Sequence, residues 1–252
     1  GKYGGAGDCM NLDSSADNCI IDHISLMFST DENISFFNST VDNFTMQYCT
    51  SSWGMERHNA GGLWDLQDGT CHHTLWAHHR TRNPKARPNG VLEWINNVTF
   101  HWRVEGFIMG DSQTPANWSA NVRGCYYLSI PDYGVGVDHT PFSKARIASD
   151  GLPNFHLYLD NTLIDANNDG LLNGTDNGYG IVSGQAYNPA EGAAAGTERY
   201  DKSLVPFTGA TGSSTVIIDD PLTAYKKVLS SSGALRLDAN YTSPLRDELD
   251  SL

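Results

Sequence analysis

Short runs of alternating apolar and polar residues recur along this chain of 252 residues. Each run opens at a polar turn residue and is rich in the β-branched and aromatic side chains that favour strands. The runs begin at Asn18, Asn43, His73, Val91, Asn121 and Asn154, so that successive starts are separated by 25, 30, 18, 30 and 33 residues. Repeats of about 20 to 50 residues that each carry a strand are typical of a solenoid.

A β-sandwich is the alternative, because it also gives short strands separated by turns. Against it, paired Asn or His residues recur at one place in successive runs, as expected for coils that stack on one another. We therefore predict an all-β chain that forms a right-handed parallel β-helix, with residues 1–252 as a single domain. The irregular spacing predicts loops of varying length on one side of the solenoid.

The carboxyl-terminal part has a helical pattern. An acidic pair stands before Pro221 and an apolar stripe follows it, which predicts a helix that ends at Gly233. A second short helical turn is expected after Pro244, so that residues 219–252 form a helical tail. Residues 189–212 are rich in Gly, Ala, Ser and Thr and predict an irregular loop.

Composition fits a turn-rich β protein, since hydrophobic residues make up 39% of the chain and 25 residues are glycine. No apolar run reaches the roughly 18 residues that span a bilayer, and we expect neither a membrane nor a nucleic acid as a partner. The five cysteines lack the CxxC spacing of zinc sites. One or two disulfides and buried free thiols are both compatible with them.

Positive charge is concentrated in one short segment. Four of the sixteen Lys and Arg residues lie within eight positions of a chain whose formal net charge is -13: Arg80, Arg82, Lys85 and Arg87. A solvated surface patch would explain this cluster, but so would a site for an anionic ligand.

The spacing inside this segment is specific. The sequence RNPKAR at residues 82–87 resembles the R-x-P-x-x-R signature of family 1 polysaccharide lyases, the pectate lyases. HNAGGLW at residues 58–64 and DCMNLDSSADNCIIDHISLMFSTDEN at residues 8–33 also resemble segments of this family. The resemblance implies a parallel β-helix, secretion, and cleavage of the acidic polysaccharide pectate by β-elimination to 4,5-unsaturated oligogalacturonides.

The resemblance also implies roles for the cations. Arg82 would be the catalytic base and Arg87 the clamp on a substrate carboxylate, while Lys85, Arg80 and His58 would contribute to substrate binding. A guanidinium group normally has a pKa above about 12, so Arg82 could instead stabilise negative charge. Neighbouring cations would lower its pKa by repulsion. His58, His78 and His79 are alternative bases, although histidines at such positions are more often structural.

Calcium is the cofactor that the resemblance implies, held by Asp8 and Asp31 with Glu32 beside them. Two residues that are common in the family are replaced here. The carboxylate that often stands four residues after Asp31 is Ser35, and the lysine that often precedes the Gly-Gly-Leu segment is Ala60. These replacements concern calcium affinity and substrate subsites rather than Arg82.

A second calcium site is predicted in DANNDGLLNGTD, residues 165–176. Asp165, Asn167, Asp169 and Asp176 occupy positions 1, 3, 5 and 12 of a loop like that of an EF-hand. An Asp at position 12 replaces the usual Glu, and no clear pair of helices flanks the loop. An ordinary turn rich in Asn, Asp and Gly is the alternative.

Other classes of function remain open or are disfavoured. A non-catalytic β-helix that binds polysaccharide or builds an extracellular assembly is the rival to the lyase. A hydrolase on the same fold would need paired aspartates and an HG-type motif, which we do not find.

Family members carry further coils before the segment that matches Gly1, so we expect this edge to be covered by a preceding segment or a partner chain.

Overall fold

The computed structural model describes residues 7–13, 16–37, 40–55, 58–110, 117–129, 140–144, 154–167, 169–183, 185–186, 199–209 and 214–234. Its strands form three sheets. Sheet A contains β1 (Met10–Asn11), β4 (Glu32–Ser35), β7 (Ala60–Trp64), β10 (Lys85–Ala86), β13 (Phe107–Met109) and β16 (Phe142–Lys144).

Sheet B contains β2 (Ile20–Asp22), β5 (Phe44–Gln47), β8 (Gly69–His72), β11 (Val91–Ile95), β14 (Trp118–Arg123), β17 (Phe155–Asp160), β20 (Gln185–Ala186) and β21 (Arg199–Lys202). Sheet C contains β3 (Ser25–Met27), β6 (Thr50–Ser52), β9 (Leu75–Ala77), β12 (Val98–Phe100), β15 (Tyr126–Leu128), β18 (Leu163–Asp165) and β19 (Thr175–Asp176).

The chain visits sheets A, B and C in turn from β1 to β18. Each strand from β1 to β15 pairs in parallel with the strand one turn later, as β2 does with β5 and β3 with β6. This winding confirms the parallel β-helix and excludes the β-sandwich. The six runs recognised in the sequence are the successive turns of sheets B and C.

The pairs at residues 72–73 and 96–97 lie at the corner between sheets B and C. One residue of each corner has a positive φ: His23, Tyr48, His73, Asn96, Gly124 and Asn161. A left-handed residue turns the chain sharply, and Asn and Gly reach that conformation at low cost. The rings of His23, Tyr48 and His73 stack, with centroids 5.3 and 4.9 Å apart, so the corners reinforce the register between turns.

Large aromatic side chains fill the interior. Trp64, Trp76 and Trp94 are fully buried, and the rings of Trp64 and Trp94 meet edge to face at 5.7 Å. All five cysteines are free thiols, which excludes the disulfide alternative. Burial raises the pKa of Cys49 and of Cys125 to about 12, so these thiols are inert core side chains.

The predicted helix is α1 (Pro221–Ser231), which packs its apolar face against sheet C. Asp220 caps it by accepting a hydrogen bond from the Thr223 amide at 3.1 Å. No helix in the described ranges combines the length and apolarity needed to cross a bilayer. The second turn expected after Pro244 lies outside the described residues, as does the edge at residues 1–6.

The prediction of an irregular loop over residues 189–212 was wrong in one part. Arg199–Lys202 forms β21, which pairs in parallel with β17 through His156 and Leu157. The strand exists because the edge of sheet B offers it a partner, and this edge is not visible in the local sequence. Residues 187–198 and 210–213 lie outside the described part of the chain.

Candidate functional site

The cationic segment forms part of a shallow cavity of about 250 Å³ beside sheet A. Loops that run from sheet C to sheet A supply its walls. Because these loops belong to successive turns, residues that are 20 or more positions apart in sequence lie side by side. The lining residues are His58, Arg80, Thr81, Arg82, Lys85, Val104, Glu105 and Ile108.

Arg82 has an unusual backbone, with φ at 60° in the left-handed region. The Gly62 amide donates to the Arg82 carbonyl at 2.8 Å, and the Asn83 amide donates to the Gly106 carbonyl at 2.7 Å. A Cβ on Gly61 would lie 2.6 Å from the Arg82 carbonyl oxygen, so the close approach requires glycine. A strained conformation of this kind costs on the order of 1 kcal/mol or more and clusters at functional sites.

Sequence reasoning missed a carboxylate in this cavity. The Thr81 hydroxyl donates to Glu105 Oε2 at 2.5 Å, which fixes the residue before Arg82 to the next turn of the solenoid. Glu105 belongs to none of the recognised segments. Only the stacking of successive loops brings it to Arg82, and the irregular lengths of these loops hide that stacking in the sequence.

The Arg82 guanidinium forms an ion pair with Glu32 through Nη1 and Oε1. Glu32 is nearly fully buried, whereas the Arg82 side chain stays partly exposed to the cavity. A buried carboxylate without a cationic partner would be strongly destabilising, so this ion pair stabilises the charge of Glu32. The proposed catalytic arginine and one proposed metal ligand are therefore in direct contact.

The structure brings the predicted calcium ligands together. Each of Asp31, Glu32 and His58 offers one ligand atom, and these atoms all lie within 4.8 Å of one another. Asp8 joins them, because its Oδ1 accepts a hydrogen bond from the Glu32 amide at 3.1 Å. Burial and repulsion from Asp31 raise the pKa of the Asp8 carboxyl above its ordinary value. These converging carboxylates fit a hard divalent cation such as Ca²⁺.

His58 occupies a different place from the one predicted for a substrate-binding residue alone. It lines the cavity, but its Nδ1 also contacts Asp31 Oδ1 within the metal-binding group. We call Asp8, Asp31, Glu32 and His58 the cation cluster.

Arg87 is not among the residues that line the cavity. Its side chain is buried, and Nη2 lies 2.7 Å from Asp65 Oδ2 in an ion pair. Arg87 follows β10 and Asp65 follows β7, so the two residues occupy equivalent places in neighbouring turns. This guanidinium is held by Asp65, and its role as a substrate clamp stays a prediction.

Two of the three alternative histidine bases, His78 and His79, have structural contacts. His79 is buried with Nε2 3.1 Å from Ser51 Oγ, and burial lowers its pKa to about 3. His78 stacks on Trp53 with ring centroids 6.0 Å apart. Neither histidine lines the cavity.

The carboxylates of the loop at residues 165–176 accept hydrogen bonds from nearby groups. Among the described residues, a group of three metal-ligating side chains occurs only in the cation cluster. Asp165 instead accepts hydrogen bonds from the Tyr126 hydroxyl and the Asn173 amide, both at 3.3 Å.

The exposed acids of the same loop bind their own turns. Asp169 accepts from the Leu171 amide at 2.9 Å and from the Asn167 side chain at 3.1 Å, while Asp176 accepts from the Gly178 amide at 2.8 Å. The loop is flanked by two strands that pair antiparallel, rather than by helices. Asp165 Oδ1 is buried and has no hydrogen-bond partner among the described residues, so both the ordinary turn and the second calcium site stay open, and the latter stays a prediction.

Comparison with known proteins places these features in context. No protein-family model matches the chain. It is 34% identical over 235 residues to a protein of Aspergillus flavus described as "Probable pectate lyase C", covering 92% of this chain and 49% of that protein. A protein of Neosartorya fischeri with the same description is 34% identical over 211 residues, 82% of this chain and 45% of that protein. The chain spans about half the length of the curated relatives it matches.

A solved structure shares the fold. It is that of pectate lyase Bsp165PelA from Bacillus sp. N165 in complex with trigalacturonate, which aligns with a TM-score of 0.53 at 13% identity. The alignment covers 91% of this chain and 63% of the other. These matches confirm the resemblance that the motifs indicated.

Proposed function

We propose, from the premise that this chain is a homologue of the pectate lyases, that it cleaves polygalacturonate by β-elimination in the cavity around Arg82. One observation carries the proposal: Arg82 lies between the cationic wall of that cavity and the cation cluster. The same site thus offers groups for an anionic sugar and donors for a metal ion.

The reaction needs three events at one galacturonate residue. The C5 proton is removed, its electron pair forms the C4–C5 double bond, and the bond from C4 to the bridging oxygen breaks. The neighbouring carboxylate must be neutralised so that negative charge can develop at C5. Arg80 and Lys85 in the cavity wall attract the polymer's carboxylates and keep them oriented.

Calcium is the ion that we propose for Asp8, Asp31 and Glu32, and when bound it would neutralise the substrate carboxylate and acidify the C5–H bond. The ion pair with Glu32 favours the charged form of Arg82, in which the guanidinium stabilises negative charge. Arg82 can accept a proton only in its neutral form, so a role as base requires that this pair opens.

The decisive experiment measures the ultraviolet absorbance of unsaturated product from polygalacturonate, with calcium and with a chelator. We expect product in calcium, loss of activity in the chelator, and recovery when calcium is restored. Arg82→Ala should lower turnover by at least about 100-fold, the scale of losing one preorganised charge-stabilising group. Because the variant leaves buried Glu32 without its cation, it should also melt at a lower temperature, and the rates are compared at a temperature at which both proteins are folded. Lys226→Ala, on helix α1 against sheet C, is the control and should keep the parent rate.

Two outcomes would overturn these assignments. Near-normal turnover by Arg82→Ala would exclude its catalytic role. Binding of polygalacturonate without any unsaturated product would favour the non-catalytic alternative. Because the substrate is a polymer outside cells, we also propose that the protein is secreted.

A further inference from the structure

An acidic side chain lies in the wall of the cationic cavity. Glu105 is among the lining residues, together with Arg80, Arg82 and Lys85. Neither the removal of the C5 proton nor the proposed binding of calcium uses it. A carboxylate in a site that attracts carboxylates weakens the binding of an anionic ligand, unless it makes a favourable contact of its own.

The position of Glu105 is fixed by the turn of the solenoid that carries Arg82. The Thr81 hydroxyl donates a hydrogen bond to Glu105 Oε2 at 2.5 Å, and the Val104 amide donates to the Arg80 carbonyl at 2.8 Å. These two contacts hold residues 104–105 against residues 80–81. The carboxylate is therefore a half-buried, anchored part of the cavity wall rather than a freely moving surface acid.

The chemistry of polygalacturonate decides what this carboxylate can bind. In an interior residue of the polymer, the polar groups outside the ring and the glycosidic bonds are the C6 carboxylate and the hydroxyls on O2 and O3. An ionised carboxylate accepts hydrogen bonds and donates none, so Glu105 repels the C6 carboxylate and attracts the hydroxyls. We infer that Glu105 accepts hydrogen bonds from O2 and O3 of the galacturonate residue in the cavity, and that it selects against residues acetylated on these oxygens. This inference rests on the proposed function, because it takes galacturonate as the ligand.

The carboxylate has the capacity to bind both hydroxyls. Its oxygens together offer about four acceptor sites, and the Thr81 hydroxyl uses a site on Oε2. Because O2 and O3 lie on neighbouring carbon atoms, a single carboxylate can accept from both of them. Such hydrogen bonds are stronger than those between neutral groups, since the acceptor is charged.

The two kinds of contact would orient the sugar. Arg80 and Lys85 attract the C6 carboxylate, whereas Glu105 binds the edge of the ring that carries O2 and O3. A ring held at both edges has less freedom to rotate in the cavity. Its C5–H bond then keeps a defined direction relative to Arg82.

Acetylation removes the donors without changing the charge of the polymer. The oxygens of an acetyl ester only accept hydrogen bonds, so an acetylated residue offers Glu105 no donor and adds bulk beside it. A site built to bind a substrate hydroxyl discriminates against an analogue that lacks it. Comparison of the two polymers isolates the hydroxyl contact, because both carry the same carboxylates.

A purely structural role for Glu105 makes a different prediction. If the carboxylate only holds Thr81, and through it Arg82, its loss lowers the rate on both polymers by the same factor. Thr81→Val is the matched control, since it removes the same hydrogen bond but keeps the carboxylate.

The test measures kcat/KM for unsaturated product, in calcium, on polygalacturonate and on the same polymer acetylated on O2 and O3. We expect the parent to prefer the unacetylated polymer by at least about 10-fold, the scale of losing a hydrogen bond to a charged acceptor. Glu105→Ala should reduce this preference to less than about threefold, because the charged acceptor is gone. Glu105→Gln, which keeps an acceptor without the charge, should give an intermediate preference. Thr81→Val should keep the preference of the parent, whatever its rate.

Calorimetry measures the same preference without turnover, with trigalacturonate and its acetylated form as ligands. Preferential binding that depends on Glu105, without any product, would retain this inference and reject the proposed reaction. Product formation by a parent that does not distinguish the two polymers would do the reverse.

Three further results would overturn the inference. The first is an unchanged preference in Glu105→Ala, and the second is an equal loss of preference in Thr81→Val. The third is a changed calcium dependence in Glu105→Gln with an unchanged preference, which would assign the carboxylate to an ion instead of to hydroxyls. Melting temperatures check that each variant is folded, and Glu105→Gln carries the test if Glu105→Ala is not.

Discussion

The cation cluster and the loop at residues 165–176 are both acidic, and both were predicted from sequence to bind calcium. Their hydrogen bonding differs. In the cation cluster, donors from successive turns converge on a common point. In the loop, Asp169 and Asp176 bind amides only two residues further along the chain.

The difference follows from what each carboxylate finds nearby. A short acidic side chain in a turn accepts hydrogen bonds from its own backbone and is thereby engaged. Asp31 and Glu32 stand where β4 begins, and the next turn places His58 against them. Long-range stacking brings together the donors of the cation cluster, whereas the acids of the loop depend mainly on neighbours within the loop.

The largest expected effect comes from breaking the buried ion pair of Arg87 and Asp65. Arg87→Ala should lower the free energy of unfolding by about 3–5 kcal/mol, because it leaves the largely buried Asp65 without its cation. Denaturant unfolding measures this loss. The double variant Arg87→Met with Asp65→Leu removes both charges and should recover most of the stability. A double variant as unstable as Arg87→Ala would contradict this account of the ion pair.

A smaller effect tests the loop. Asp165→Ala combined with Asp169→Ala should lower the free energy of unfolding by about 1–3 kcal/mol, because the Tyr126 hydroxyl and the Asn173 amide lose an acceptor. We expect the fall in melting temperature to be the same in calcium and in chelator. A fall seen only in calcium would restore the second calcium site and end the contrast between the two regions.

The last effect is a gradual dependence on pH that the buried His79 contributes. Burial lowers the pKa of His79 to about 3 from the usual 6.5 of histidine, so the unfolded chain binds more protons between these two pH values. Stability contributed by the neutral imidazole is therefore complete above about pH 6.5 and is lost as the pH falls toward 3. The loss should be at most about 1.4 kcal/mol per pH unit. His79→Gln should reduce this slope, measured by denaturant unfolding from pH 7 to 4; an unchanged slope would assign the dependence to other groups.

Much of the fold could be predicted because it rests on local pattern. Alternating runs gave the strands of sheets B and C, and the recurring Asn and His residues marked the corners where a left-handed residue turns the chain. The proline and the apolar stripe after Asp220 gave helix α1. The short strands of sheet A are less visible, since β1 and β10 contain only two residues each.

The motif placed Arg82 in the site, but the sequence alone determined only which charged residues were available. Tertiary structure decided their partners. It brought Glu32 and Glu105 into the site of Arg82, joined His58 to the carboxylates, and set Arg87 against Asp65. The physical reason is that each of these contacts crosses between turns of the solenoid. The register of parallel strands and the lengths of the intervening loops, rather than the neighbours of a residue in sequence, determine which side chains meet.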